Sequence, residues 1–319
     1  MKTQKSIEDR IQMKLYDKEQ RVAEIKSVKI GGQPGENPTV MIGSLFYKGH
    51  KACKNLKTGE VDREIADEDV QTMLEWSEKT GLPIIFDLVG ETADALVNYV
   101  EYISEVAPGH PFLVDGLTDE SRIPAMEKVK EMGLLDCAIL NSIDHETTDE
   151  TITKIKEIGV KYAVLLTFEK LSLTPKKKIR LLKGRKGRYK GLIQKAEESG
   201  VKDYIVDCAV LDLMSIGMCA ASQEIIKEEF GLPVGCAPTN AIFEWKKGKE
   251  VLGKKGRITA ETAMCTYLRD YSADFLLYGP AKYAKQVFPA IATRDAVATY
   301  YQRRMNKLNV NDGPFDKII

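Results

Sequence analysis

The sequence predicts a (β/α)8 TIM barrel, an α/β fold, with a short N-terminal extension at residues 1–38 before a barrel domain at residues 39–319. From residue 39 onward, short apolar runs alternate with longer amphipathic stretches, a pattern typical of βα units and a parallel sheet. Several runs also follow a glycine that would end the preceding helix, namely Gly81, Gly133, Gly159, Gly200 and Gly231. Both observations indicate one βα unit repeated along the chain.

The predicted strands are nearly all apolar, as expected of strands buried on both faces. They cover residues 39–45, 83–87, 111–115, 137–141, 162–167, 204–207, 233–236 and 274–278. Stretches that begin near a Ser, Thr or Asp predict helices between them, for example at residues 67–79, 92–103, 121–132 and 149–158. Eight units favour a closed barrel, and an open doubly wound sheet remains an alternative because periodicity does not show closure. Before the barrel, VAEIKSVKIGG and QPGENP predict a hairpin and a turn that close its bottom.

Composition limits the class of protein. The net charge of zero argues against nucleic acid as the main partner, because duplex binders usually carry a basic excess. No stretch has the apolar length of a signal peptide or of the ~20 residues that span a bilayer, so we expect a cytoplasmic protein without a transmembrane segment. Six scattered cysteines predict reduced core thiols. Three histidines lack the spacing of a zinc site, and no protein-bound metal is expected.

Polar side chains close several of the predicted strands, at the barrel end that carries the chemistry of such folds. They are Asp87, Asp115, Asn141 and Asp207, with Asn240 shortly after the seventh strand. Carboxylates accept hydrogen bonds and amides both donate and accept, which suits a flat heterocycle such as a reduced pterin. Each residue alone could instead cap the next helix. Helix capping is a weaker explanation for five such residues at successive strand ends.

Several segments resemble a known family. GGQPGENPTVMIGSLFYKGHK, ILNSI, GLPVG followed by Asn240, and DFLLYGPAKYAKQVFPAIA resemble the H subunit of tetrahydromethanopterin S-methyltransferase and its soluble relatives over nearly the whole chain. Those relatives include bacterial enzymes that pass methyl groups from methylcorrinoid to tetrahydrofolate. More distantly, PFLVDGLTDESRIPAMEKVKEMGLLDCAILNSIDHE resembles the pterin-binding barrels of corrinoid-dependent methyltransferases.

The resemblance implies an enzyme that moves a methyl group between a methylcorrinoid, either methylcobalamin or a corrinoid protein, and N5 of a tetrahydropterin. By that resemblance, Asp115, Asn141 and Asp207 match positions that grip the pterin. Asn240 matches a mobile Asn that reaches N5, and we expect it to support catalysis by hydrogen bonding. Asp87 has no firm counterpart, and we expect it beside the substrate. We expect the N5 proton to come from solvent, through ordered water near Asp87 or Asp115.

The segment at residues 175–191 is strongly basic, with nine Lys or Arg among its seventeen residues. Because it follows the fifth strand in an otherwise neutral chain, we expect Arg185, Lys186 and Arg188 to bind an anionic pterin tail or an acidic corrinoid protein. A solvated helix and turn is the alternative. The resembled methanogen proteins are less basic here, which favours tetrahydrofolate as the methyl carrier.

Other functions remain open. One is the tetrahydromethanopterin-specific H subunit of the methyltetrahydromethanopterin:coenzyme M methyltransferase complex, and another is a non-enzymatic pterin carrier. A pterin-building synthase on the same barrel is disfavoured, because it needs a Lys and an Arg at the last strand ends, where DFLLYGP has neither. A long amphipathic run at residues 281–308, with Tyr300, Tyr301 and Met305, predicts a C-terminal helix that could pair two copies into a homodimer.

Overall fold

A computed structural model describes residues 14–169 and 173–319, so residues 1–13 of the predicted N-terminal extension lie outside the described residues. The strands are β1 (Val22–Ile25), β2 (Val28–Gly31), β3 (Val40–Leu45), β4 (Cys53–Asn55), β5 (Glu60–Val61), β6 (Ile84–Gly90), β7 (Phe112–Gly116), β8 (Ala138–Ile143), β9 (Tyr162–Leu166), β10 (Gly184–Arg185), β11 (Tyr189–Lys190), β12 (Asp203–Asp207), β13 (Val234–Cys236) and β14 (Phe275–Pro280). The helices are α1 (Arg63–Thr80), α2 (Ala93–Val106), α3 (Asp119–Glu131), α4 (Asp149–Ile158), α5 (Pro175–Lys183), α6 (Leu192–Glu198), α7 (Ser215–Phe230), α8 (Pro238–Glu244), α9 (Lys246–Asp270), α10 (Ala284–Tyr301) and α11 (Pro314–Ile318).

Eight parallel strands form a closed barrel in the order β3, β6, β7, β8, β9, β12, β13 and β14. Strand β14 pairs with β3, for example through Phe275 and Val40, and this closure confirms the barrel over the open sheet. All eight predicted strands are present. Strand β6 continues to Gly90, past the predicted end at Asp87, because backbone pairing continues when a polar side chain points into the barrel.

Glycine is the C-cap at three of the five helix ends where the sequence predicts it, while Gly133 and Gly200 directly follow the C-caps Met132 and Ser199. Gly81, Gly159 and Gly231 are the C-caps of α1, α4 and α7, with φ of 72°, 82° and 63°, the left-handed conformation that glycine adopts without strain. The longest helix differs from the others, because Gly253 with φ 63° and ψ −174° kinks α9 after its first two turns. The kink separates a short segment near the mouth of the barrel from the helix that returns along its wall.

The predicted hairpin closes the bottom of the barrel. Strands β1 and β2 pair antiparallel, and their apolar side chains join the buried interior cluster formed by the lower halves of the barrel strands. The members from the hairpin are Ala23, Ile25, Val28 and Ile30. The space that a barrel would leave open at its lower end is therefore filled with apolar side chains, as expected of a packed interior.

Two buried ion pairs, which we call the floor pairs, hold the lower end together. Arg269 Nε donates to Asp295 Oδ1 at 3.0 Å, and Lys227 Nζ donates to Asp274 Oδ2 at 2.9 Å. Asp295 Oδ2 also accepts from the backbone N–H and the hydroxyl of Thr39, both at 2.7 Å. Burial acts to raise the pKa of Asp295, but Arg269, Arg294 and the Thr39 hydrogen bonds hold that pKa below its ordinary value. Every floor carboxylate is thus compensated by a cation.

The predicted C-terminal helix is present as α10, preceded by a 3-10 turn at Ala281–Tyr283 and followed by a π-helical turn at Gln302–Asn306. Tyr300 and Met305 are exposed on it. All six cysteines are free thiols. Within the described part of the chain, no helix has both the length and the apolarity needed to cross a membrane.

Candidate functional site at the barrel mouth

Side chains inside the barrel change from apolar to polar at the height of the upper strand ends. Ile85, Leu113, Ile139 and Ile205 belong to the buried interior cluster. Because strand side chains alternate with a period of two, the residues two positions further along the same strands also point inward. They are Asp87, Asp115, Asn141 and Asp207, which we call the polar ring. Four of the five polar residues predicted from the sequence therefore meet in one layer above an apolar one.

Asp87 and Asp115 form a carboxyl pair in this layer. Asp87 is 2% exposed and accepts a hydrogen bond from Ser44 Oγ at 2.6 Å. Burial raises the pKa of Asp87, while hydrogen bonds from Ser44 and Asp115 oppose that rise. The pKa of Asp115 is raised further, by burial and then by the charge of Asp87. Two carboxyl groups in contact share a proton because like charges repel, so Asp87 and Asp115 titrate as a pair.

Asn141 and Asp207 complete the polar ring. Asn141 is half-buried and lies opposite Asp115 in the pairing of β7 with β8. Asp207 is 7% exposed, and its Oδ1 has no hydrogen-bond partner among the described residues. Burial raises the pKa of Asp207 to about 7, against the lowering effect of Lys178. An unpartnered buried carboxyl oxygen is costly, and burial accordingly favours the neutral form of Asp207.

Two buried cations stand behind the polar ring. Lys178 is fully buried, and its Nζ donates to the carbonyls of Cys208 at 3.1 Å and Ala209 at 2.8 Å, directly after Asp207. Arg122 donates to Asp119 at 2.7 Å, and its charge lowers the pKa of Asp115. These cations moderate the carboxyl charges without forming direct ion pairs with them.

Asn240, the fifth predicted residue, stands apart from the polar ring. It lies in the first turn of α8, directly after β13, and is exposed. Its side chain has no hydrogen-bond partner among the described residues. Gly279, with φ 86°, lets α8 pack closely on β14, because a Cβ at this position would lie 2.4 Å from Thr239 Oγ1. Asn240 is therefore an exposed amide on a tightly seated helix beside the mouth.

A buried glutamate lies behind α8. Glu261 of α9 is fully buried, and neither carboxylate oxygen has a hydrogen bond of regular geometry within the described residues. Burial raises the pKa of Glu261 to about 7, although Thr239 and Arg257 act to lower it. This carboxyl group is the neighbour of the helix that carries Asn240.

The basic segment at residues 175–191 is regular structure and not an irregular loop. It forms α5 and the hairpin of β10 and β11, and the hairpin follows the end of α5 that is remote from the buried Lys178. Part of its charge is already compensated, since Lys190 bonds to Asp149 and Glu198, both at 2.7 Å. Arg185, Lys186 and Arg188 are exposed at the hairpin. Their predicted anion-binding role stays a prediction.

Sequence reasoning missed Arg122, Lys178, Glu261 and Ser44. The sequence does contain a signal for the three charged residues. Each lies three, four or seven residues before apolar residues of the same helix, and so on its apolar face. Arg122 precedes Ala125, Met126 and Val129, Lys178 precedes Leu181 and Leu182, and Glu261 precedes Met264, Cys265 and Leu268. A charge on such a face is buried by the packing of its neighbours, which marks it as structural or functional.

The arrangement suits a flat polar ligand. An apolar layer forms its floor, and carboxyl and amide groups around it offer both donors and acceptors. Among the described residues, no group of three or more His, Cys, Asp or Glu side chains is arranged to bind a metal ion.

The chain matches one family of known proteins along most of its length. The family model described as tetrahydromethanopterin S-methyltransferase MtrH subunit matches residues 18–310. The H subunit of tetrahydromethanopterin S-methyltransferase from Methanosarcina mazei is 36% identical over 287 residues, which cover 88% of this chain and 91% of the relative. The corresponding protein from Methanothermobacter thermautotrophicus is 32% identical over 308 residues, which cover 95% of this chain and 99% of the relative.

Solved structures with a similar fold include dihydropteroate synthases. The Yersinia pestis enzyme aligns with a TM-score of 0.56 and 14% identity, covering 86% of this chain and 99% of that one. The enzyme from Coxiella burnetii, solved with pteroic acid, aligns with a TM-score of 0.53 and 16% identity, covering 88% and 99%. At this identity the likeness establishes the barrel fold alone.

Proposed function

The chain belongs to the H-subunit family of tetrahydromethanopterin S-methyltransferase, and from that premise we propose that it moves a methyl group between N5 of a tetrahydropterin and a corrinoid held by a partner protein. Methyl transfer follows from the family. The pterin-binding residues, the corrinoid and the preferred pterin are the parts that we propose.

The polar ring carries this proposal. The 2-amino group and N3–H of a pterin are adjacent donors, and O4 beside them is an acceptor. Asp207 has a carboxyl oxygen without a partner among the described residues, so it accepts from the two donors. Asn141 and, in its protonated form, Asp115 can each donate to O4 or accept from a ring N–H. The apolar layer formed by Ile85, Leu113 and their neighbours supports the face of the ring.

The relatives favour tetrahydromethanopterin as the pterin, since they are named for it. The expectation of tetrahydrofolate rests on the basic segment at residues 175–191, and the comparisons give it no support. We therefore propose tetrahydromethanopterin as the preferred methyl carrier, with tetrahydrofolate as the alternative that an acceptor assay must test. Both share the ring edge that the polar ring would bind.

Methyl transfer from N5 breaks the N5–carbon bond, leaves its electron pair on N5 and adds a proton there. The corrinoid supplies the nucleophilic cobalt that takes the methyl group. In this chain, Asn240 hydrogen-bonds N5 in both charge states, because an amide neither gains nor loses a proton at neutral pH. We propose the proton shared by Asp87 and Asp115 as the source for N5, delivered through ordered water.

Apolar side chains around the mouth favour a protein partner. Leu117 is 72% exposed and Met214 is 77% exposed, in the loops after β7 and β12, and Val251 near the kink of α9 is 69% exposed. Exposed apolar groups gathered on one face mark interaction surfaces. We propose that the corrinoid partner covers this face, and that Arg185, Lys186 and Arg188 contact acidic groups on it.

The exposed apolar residues of α10 support a second proposal, a homodimer. Val297 is 67% exposed and Tyr300 is 52% exposed, on the helix that the sequence predicts as a pairing surface. Sedimentation at equilibrium tests it, and a monomeric mass at micromolar concentration would reject the dimer.

Transfer of a methyl group from free methylcobalamin tests the function, with tetrahydromethanopterin and tetrahydrofolate as parallel acceptors. We expect loss of the methylcobalamin spectrum with one or both, faster with tetrahydromethanopterin. Asn240→Ala should slow transfer about 100-fold while changing pterin affinity only a few-fold. Pterin binding without methyl transfer to either acceptor would instead support the alternative that the protein is a non-enzymatic pterin carrier. Equal losses of affinity and rate in Asn240→Ala would reject its assignment to N5.

A further inference from the structure

A cavity lies at the mouth of the barrel, outside the polar ring. It has a volume of about 640 Å³ and lies between the loop after β3, the start of α1, the kinked part of α9 and the turn after β14. Its apolar lining consists of Ile65, Ile258 and the ring of Tyr283. Loops after the seventh and eighth strands, which form two of its walls, bind phosphate in many barrels of this type.

Five lysines line this cavity, and we call it the lysine cavity. They are Lys51, Lys254, Lys255, Lys282 and Lys285. None of them is in an ion pair with a described residue, although many other lysines are, for example Lys183 with Glu229 at 2.7 Å. Two carboxylates also line the cavity, Glu68 and Asp69. Asp69 also accepts a hydrogen bond from His50 Nε2 at 2.8 Å. Because five lysines face only two carboxylates, the cavity has an excess of positive charge.

The lysine cavity adjoins the polar ring through two neighbouring strands. Ser44, which bonds to Asp87, lies in β3, and the loop after β3 reaches the cavity at Lys51. On the same side, β14 ends at Pro280, and Lys282 follows within two residues. Tyr47 stacks on His50 with ring centroids 4.9 Å apart, which links the mouth to Asp69 on the cavity wall. Strands β3 and β14 therefore contribute to the polar mouth and also lead directly to the cavity.

We propose that the lysine cavity binds the anionic tail of the tetrahydropterin, an inference that rests on the proposed function. A tetrahydropterin carrier has an aryl group and, beyond it, carboxylates or a phosphate. Tyr283 and the two isoleucines suit the aryl group, and the lysines attract the anionic end. Carboxylate and phosphate tails share this chemistry. The assignment moves the tail from the basic hairpin of Arg185, Lys186 and Arg188 to the mouth.

Dissociation constants for three probes test this inference. 6-Methyltetrahydropterin has the ring and no tail, tetrahydrofolate pentaglutamate has a carboxylate tail, and tetrahydromethanopterin has a phosphate tail. We expect the two tailed probes to bind the wild type more tightly than the tail-less one. Lys254→Gln/Lys255→Gln and Lys282→Gln/Lys285→Gln should each weaken the tailed probes roughly two- to fivefold per lysine and remove much of their salt dependence.

Two further variants separate a local contact from a general effect of charge. Lys26→Gln/Lys29→Gln removes the same charge from the hairpin at the bottom of the barrel. This variant should weaken the tailed probes no more than it weakens the tail-less probe. Arg185→Gln/Arg188→Gln tests the basic hairpin. If this variant weakens the tailed probes and the cavity variants do not, the tail belongs at the hairpin and the inference is wrong.

The outcomes also separate the inference from the proposed function. If the wild type binds 6-methyltetrahydropterin as tightly as both tailed probes, the ring site stands and the lysine cavity has no tail role. If it binds none of the three, both fail. A loss confined to tetrahydromethanopterin in the cavity variants identifies phosphate as the bound group, and a loss confined to the pentaglutamate identifies carboxylates.

Discussion

Buried carboxylates occur at both ends of the barrel, and the two ends differ in whether a cation pairs with them. At the floor, Asp295 and Asp274 each have a cation within 3.0 Å, and the pKa of Asp295 is lowered. At the mouth, Asp87, Asp115 and Asp207 have no such partner among the described residues, and the pKa of each is raised, with burial as the largest cause. The same residue type is thus compensated by a cation at one end and left without one at the other, where we propose that a ligand binds.

The largest expected effect lies at the floor. Asp295→Ala leaves Arg269 buried without its main partner and should lower the free energy of unfolding by roughly 3–5 kcal/mol, measured by urea denaturation. The control is Asp270→Ala, since Asp270 pairs with Arg294 at 2.8 Å but its side chain is 59% exposed. This control should lose no more than about 1 kcal/mol. Equal losses in the two variants would contradict the distinct role of the floor.

Substitution of a carboxylate at the mouth should raise the free energy of unfolding, in contrast to the substitution at the floor. Burial raises the pKa of Asp207 to about 7, above the usual ~3.9 of an unfolded chain. The folded state therefore binds more protons between about pH 4 and 7, and the contribution of Asp207 to stability falls as the pH rises through this window. Asp207→Asn removes that loss, so we expect it to be neutral near pH 4 and stabilising by roughly 2–4 kcal/mol at pH 8.

The measurement is urea unfolding of Asp207→Asn and wild type at several pH values, with Asp203→Asn at the other end of β12 as the control. The control should stay within about 0.5 kcal/mol of wild type at every pH. A stabilisation by Asp207→Asn that does not grow with pH would show that Asp207 is compensated like a floor carboxylate.

Pterin binding should release a proton from the mouth. Donors on the pterin favour the ionised form of Asp207 and so lower its pKa in the complex. We expect affinity to rise by up to about tenfold per pH unit below the pKa of about 7 and to level off above it. Calorimetry in two buffers of different ionisation enthalpy measures the released proton. Asp207→Asn should lose this pH dependence, and a wild-type affinity independent of pH would count against the assignment.

The smallest effect is expected at the exposed basic hairpin. Neutralising Arg185, Lys186 and Arg188 should change stability by less than about 1 kcal/mol. It should reduce the salt dependence of methyl transfer with a corrinoid protein and leave transfer from free methylcobalamin unchanged. An equal change with both donors would place the hairpin in pterin binding.

The barrel could be predicted from sequence because each strand is a short apolar run, and the polar ring could be predicted because its members interrupt such runs. The end of β6 could not be predicted from the position of Asp87, because strand pairing continues for three residues beyond it. Lys178 and Arg122 act through contacts that only the closed barrel creates. The lysine cavity draws on residues as far apart as Lys51 and Lys282, and no local pattern joins them.

A crystal structure with an N5-methyl tetrahydropterin bound tests the central claim most directly. The account predicts the 2-amino and N3–H edge within about 3 Å of the Asp207 carboxylate, with Asp115 and Asn141 in contact with the ring and N5 facing Asn240. A pterin bound outside the polar ring, or turned with N5 toward Asp207, would contradict it.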